Sequence, residues 1–127
     1  MQIASHGIVQ TPQLATAKAV LRIMEDAARF FPADLIREPP LYILLHTFIA
    51  REERRHVGIT QLAQLCTATP STALRWVVRL EAEGYVRRSL DPHDRRRSWV
   101  EITDNGCDRM ARWLYSLDPL NAHALHH

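Results

Sequence analysis

A chain of 127 residues, 46% apolar and 24% charged, has the composition of one folded domain with a hydrophobic core, not of a disordered tail or a fibrous repeat. Its longest apolar runs, such as Leu41 to Leu45, are far too short to cross a bilayer, and Met1 to Gln10 does not read as an export signal. Net charge is only +2, but fifteen of the sixteen basic residues are arginines and seven of them fall between Arg75 and Arg97.

The whole chain, 1–127, is read as a single domain, with an N-terminal helical part over 12–38, a core over 39–103 and a last helix over 104–120. From Leu14 to Phe31 apolar residues recur at alternating gaps of three and four: Leu14, Ala17, Leu21, Met24, Ala28 and Phe31. Val20, Ile23, Ala27 and Phe30 add a second stripe. A helix this broadly apolar has more surface than one small core needs, so a second copy of the chain is expected to cover the excess. Full enclosure within one chain is the plainer alternative. Pro32 ends that helix and Pro39-Pro40 opens the next, a buried helix over Leu41 to Ala50 that runs into the charged stretch Arg51 to His56. Val57-Gly58-Ile59 reads as a short extended piece.

Two short helices follow. Thr60 is expected to cap Gln61 to Cys66, with Leu62 and Leu65 inward. Thr69 followed by Pro70 is a stronger start signal, and the helix it opens is stopped by Gly84. Ala73, Trp76, Val77 and Leu80 are its inward positions, while Ser71, Thr72, Arg75 and Arg79 form the opposite face. Tyr85 to Arg88 and Ser98 to Ile102 read as strands joined by a polar loop, Ser89 to Arg97, around the turn former Asp91-Pro92. Thr103 caps a last helix with Met110, Trp113, Leu114 and Leu117 on one face, ended by Pro119.

The predicted fold class is mainly α with a small β-hairpin wing (α+β), a winged helix-turn-helix with flanking dimerisation helices. The second helix of such a motif enters the major groove, where each base pair offers a distinct donor and acceptor pattern. Its first turns hold Ser71, Thr72 and Arg75, and Arg75 is the best-placed side chain for a bidentate guanine contact. Arg95, Arg96 and Arg97 at the hairpin suit phosphates or a narrow minor groove. A solvated charged face with internal ion pairs accounts for the same arginines without DNA.

Taken together, Ile59 to Leu65, Thr69-Pro70-Ser71-Thr72, Arg79 to Arg88, Asp91 to Arg97, Val100 to Thr103 and Gly106 resemble the helix-turn-helix and wing of the MarR family, over about residues 57 to 110. The resemblance implies a homodimer on double-stranded DNA, with recognition helices in successive major grooves of a near-palindromic site and, in the usual case, repression. It implies that Asp94 holds a wing arginine in place, and it allows a small apolar or aromatic effector between the dimerisation and DNA-binding parts. Leu14, Leu21, Met24, Phe31, Trp113 and Leu117 are the candidate dimerisation residues. The chain departs from the family pattern at Leu74 and Val78, where polar residues are usual. Leu74 is read as packing against a neighbouring helix, with a thymine methyl as its other partner. Only 24 residues follow Thr103, so the dimer is expected to rest mainly on the first helix, with a small effector crevice or none.

Other features are read conservatively. Cys66 and Cys107 make no disulfide framework and a reduced, cytoplasmic setting is expected; neither is assigned a redox role. His46 is read as a core-edge residue, His56 and His93 as solvated, and His123, His126 and His127 as a tail without ligand partners. No metal, cofactor or catalytic site is expected, since no nucleophile has a neighbouring base and no glycine-rich phosphate loop is present. Two rival functions remain: a ligand-independent DNA-binding protein, and a winged-helix protein-interaction module.

Overall fold

A computed structural model describes residues 11–117. Its elements run α1 (Pro12–Ala27), a 3-10 turn (Ala33–Leu35), α2 (Pro40–Glu52), α3 (Ile59–Leu65), α4 (Pro70–Ala82), β1 (Val86–Asp91), β2 (Asp94–Ile102) and α5 (Asp104–Leu117). This is the expected fold class, helices around a two-stranded antiparallel hairpin. The expected helix end at Pro119 and the C-terminal histidines lie outside the described residues.

Local chemistry explains most element ends. Thr11 accepts from the Leu14 N–H at 3.0 Å and Pro12 occupies the first turn, so α1 starts at a capped proline. It stops at Ala27, short of the apolar stripe's end. The Arg29 and Phe30 N–H groups there bond Asp26 and Ala27, each three residues back at 3.0 Å, and this tighter turn leaves Phe31 buried. Helix α3 is capped two residues before the expected position. Gly58 holds the cap position, its carbonyl accepting from the Leu62 N–H at 2.9 Å, so Thr60 lies inside the helix. Gly58 also bridges to Trp99 and the Val57 carbonyl accepts from the Val100 N–H at 2.8 Å, which adds a short third edge to the hairpin.

Helix α4 keeps its expected start. Thr69 Oγ1 accepts from the Thr72 N–H at 3.2 Å, with Pro70 at the first position. At its end Gly84 takes φ +80°, a left-handed conformation glycine adopts without penalty, and the Tyr85 N–H reaches back to the Leu80 carbonyl at 3.0 Å.

One apolar cluster draws on every helix and both strands, with Leu35, Ile43, Leu44, Leu62, Leu80 and Met110 fully enclosed. The hairpin root clamps α5 into it. Thr103 Oγ1 donates to the Gly84 carbonyl at 2.6 Å and accepts from the Gly106 N–H at 3.0 Å. Gly106 lies against the Tyr85 carbonyl so closely that a Cβ would collide with it.

Two candidate dimerisation residues are spent on this core. Phe31 packs edge-on against Tyr85 at 5.6 Å and against Trp113 at 6.2 Å between ring centroids. Trp113 is buried as well, and its indole N–H donates to the Ile23 carbonyl at 3.3 Å. Leu117 is half-buried against the same cluster. Spacing placed all three on apolar stripes, but the turn after α1 folds the end of that stripe back onto α5. Leu14 is half-buried, while Val20, Leu21 and Met24 stay exposed on the outer face of α1, Leu21 at 60%.

Candidate nucleic-acid interface

The outward face of α4 is set by helical geometry. With Ala73, Val77 and Leu80 buried, the residues left outward are Ser71, Leu74, Arg75 and Val78. At 100° per residue, Arg75, Val78 and Leu74 lie within about 60° of Ser71, whereas Arg79 and Thr72 lie roughly 80–100° round. Leu74 is therefore turned partly to the outside, 37% exposed, and Val78 is 47% exposed. Arg75 is exposed and makes no ion pair or hydrogen bond among the described residues. Thr72 is half-buried, and its hydroxyl accepts from Thr69 Oγ1 at 2.9 Å within the cap.

Arg79 is engaged inside the chain. Its guanidinium forks onto Asp34 of the 3-10 turn, through Nη1 and through Nη2 at 3.2 Å, and also binds Glu83 one helical turn on at 3.0 Å. The Arg79 hydrogen bond, ahead of the charge itself, holds the Asp34 carboxyl below the usual carboxylate range, while Asp34 and Glu83 hold the guanidinium's own pKa up. Assigning Arg79 to the outward face missed Asp34, which lies 45 residues away in sequence. Trp76, expected in the core, is half-buried beneath Arg37, whose guanidinium lies 5.3 Å from its ring centroid.

The wing is tighter than expected. The strands continue to Asp91 and resume at Asp94, leaving Pro92-His93 as the turn, and the Asp91 carboxylate accepts from the His93 N–H at 2.8 Å. Leu90 pairs with Ser98, but the next pair is Asp91 with Asp94. The register therefore slips by three residues, and Arg95, Arg96 and Arg97 are left bulged out of the ladder on β2 instead of lying in a loop. All three are exposed. Asp94 lies beneath them: one carboxylate oxygen accepts from the Arg96 N–H at 3.0 Å and from Arg96 Nε at 3.2 Å. The Arg96 side chain nevertheless remains 92% exposed. Arg97 lies 5.2 Å from the Trp99 ring centroid, and His56 stacks on that ring at 5.1 Å. Arg96 and Arg97 border an open groove of about 520 Å³ shared with Ile59 and Thr60 at the start of α3.

Residues 49–98 match the model of the MarR family. Over those residues the winged-helix segment is similar to the MarR family. A relative from Bacillus thuringiensis (strain Al Hakam), an HTH-type transcriptional regulator called Hpr, is 33% identical over 64 residues, half of this chain and 35% of the relative. The chain thus spans about a third of the length of the curated relatives it matches. The fold superposes on the YusO protein of Bacillus subtilis with a TM-score of 0.64 at 20% identity, covering 90% of this chain and 75% of that one. A mutant of MepR from S. aureus matches with a TM-score of 0.69 at 14% identity, covering 94% and 84%.

At the end of α2, against the hairpin, is an open crevice of about 420 Å³. It is lined by Ala50, Val100 and Ile102 together with Arg51, Arg54 and Arg87, so it is polar and not suited to the apolar effector that the resemblance allows. Arg51 is held there by Asp104 at 2.8 Å. Cys66 is buried, and burial pushes its thiol pKa up.

Proposed function

We propose that this protein is a cytoplasmic, DNA-binding transcription regulator that acts as a homodimer and represses by occupying a near-palindromic operator. The observation that carries the reading is the wing. Three consecutive arginines are extruded from the ladder, one of them, Arg96, held by the Asp94 carboxylate, in a segment that matches the MarR family model and whose second helix presents Arg75 outward. Extruded guanidinium groups are suited to backbone phosphates or the minor groove, and a capped helix start with Ser71 and Arg75 to a major groove edge. On this reading Asp94 positions Arg96, and Arg79 serves the fold and not the DNA.

Arg75→Ala is expected to weaken binding to the cognate site by about 1–3 kcal/mol and to blur preference at one base pair. Equal weakening on specific and random DNA, read by fluorescence anisotropy, would assign Arg75 to a phosphate. For the dimer, the exposed outer face of α1 is the remaining candidate surface. Replacing Leu21 and Met24 with glutamate is expected to yield folded monomers in sedimentation. An unchanged dimer would move the interface elsewhere.

The exposed Leu74 and Val78 support a second reading, a winged-helix module that grips another protein. Salt separates the two. Phosphate contacts make log affinity fall steeply and linearly with log salt, whereas a protein partner gives a shallow slope. A ligand-independent DNA-binding protein is the third reading. MepR has been solved bound to ethidium bromide, and a comparable effector here would have to suit a crevice walled by arginine. Selection of genomic fragments by the purified protein tests the main reading directly. One enriched near-palindrome, with half-sites about a helical turn apart, supports it, and background recovery alone sinks it.

A further inference from the structure

The outward face of α4 is mostly apolar where a reading helix is expected to be polar. Leu74 and Val78 are exposed beside Arg75, and Ala82 continues the same face. Arg79 and Thr72, the polar residues nearest that face, are held by Asp34 and Thr69. Among the described residues, Arg75 is thus the hydrogen-bonding side chain left outward on this helix without an internal partner, beside Ser71, whose hydroxyl lies 3.3 Å from Thr69 Oγ1.

We infer that this helix reads thymine methyl groups, with Leu74 and Val78 each seated on the C5-methyl of a thymine beside the base pair that Arg75 contacts. The inference rests on the DNA-binding reading above and names the base class that reading leaves open. In the major groove only thymine presents an apolar group at the base edge, so an apolar side chain there discriminates by methyl contact, not by hydrogen bonding. Four residues separate Leu74 from Val78, about 6 Å along the helix axis. Base pairs stack roughly 3.4 Å apart, so the two side chains fall on different base pairs, both on the same flank of Arg75.

The surroundings favour nucleic acid over a protein occupant. No acidic residue is on this face: Glu81 is tied to Arg88 at 2.9 Å, and Glu83 to Arg79. The groups that border Leu74 and Val78 are the Ser71 hydroxyl and the Arg75 guanidinium, which complement a polyanion and its acceptor-rich edges.

The test uses the whole protein and the half-site enriched from a randomised duplex pool. Each thymine is replaced in turn by uracil, which deletes the methyl and leaves the pairing edge and charge unchanged. For the wild type, uracil at one or two positions should weaken binding about fourfold, the worth of one buried methyl group. In Leu74→Ala or Val78→Ala, whose replaced side chains are exposed and outside the core, the matching penalty should vanish while the guanine preference remains. Arg75→Ala should keep the uracil penalty. Tight, sequence-specific binding that is indifferent to uracil at every position, or a penalty that survives both alanine variants, would overturn methyl reading and leave DNA binding intact. If no sequence is enriched at all, both readings fail, and the apolar face passes to a protein partner.

Discussion

Phe31→Ala should cost about 3–5 kcal/mol of folding stability, enough to unfold much of the protein near body temperature. The side chain is 3% exposed and forms edge-on pairs with Tyr85 at the hairpin root and Trp113 on α5. Its removal loses apolar burial, leaves a cavity where three elements meet, and forfeits both aromatic contacts, each worth about 0.5–1.5 kcal/mol. Urea unfolding of the variant against wild type measures the effect. A loss under about 1 kcal/mol, accompanied by a change in sedimentation, would return Phe31 to an intermolecular interface. The expected result is the reverse, a less stable protein whose remaining folded fraction associates as before.

Replacing Arg95, Arg96 and Arg97 together with alanine should leave stability almost unchanged and cut DNA affinity by orders of magnitude at low salt. The side chains are exposed and extruded from the ladder, so folding depends little on them. Each phosphate contact contributes about 0.9 to the slope of log affinity on log salt, so the slope should fall by roughly 2–3. If all three act on phosphates, specific and random duplexes lose affinity alike. A loss confined to sites with an A·T-rich flank would instead place a guanidinium in a narrow minor groove. An unchanged slope would remove the wing from the interface altogether.

Several parts of this structure were open to reading in the sequence because their causes are local. Thr69-Pro70 predicts a helix start from a hydroxyl that can cap and a proline whose missing N–H costs nothing there, and α4 begins at Pro70. Gly84 predicts a helix stop, and it takes the left-handed φ that the end requires. The buried face of α4 follows from its periodicity at Ala73, Val77 and Leu80, although Trp76 only half joins it. The outward face was legible by the same rule. Projection at 100° per residue places Leu74 and Val78 there and turns Thr72 and Arg79 aside, a signal that sorting residues by polarity overrides.

What the sequence alone determined is therefore the order and type of elements, the helix-turn-helix with its wing, and the family these resemble, since caps, turn formers and apolar periods act over a few residues. Only the tertiary structure decided which charged and apolar side chains remain available. Arg79 is withdrawn by Asp34, 45 residues away, and Phe31 and Trp113 by one another across the core. Arg95 to Arg97 are extruded by a register slip that depends on how two strands pair. Each outcome depends on a partner distant along the chain, and folding is what brings the partners together.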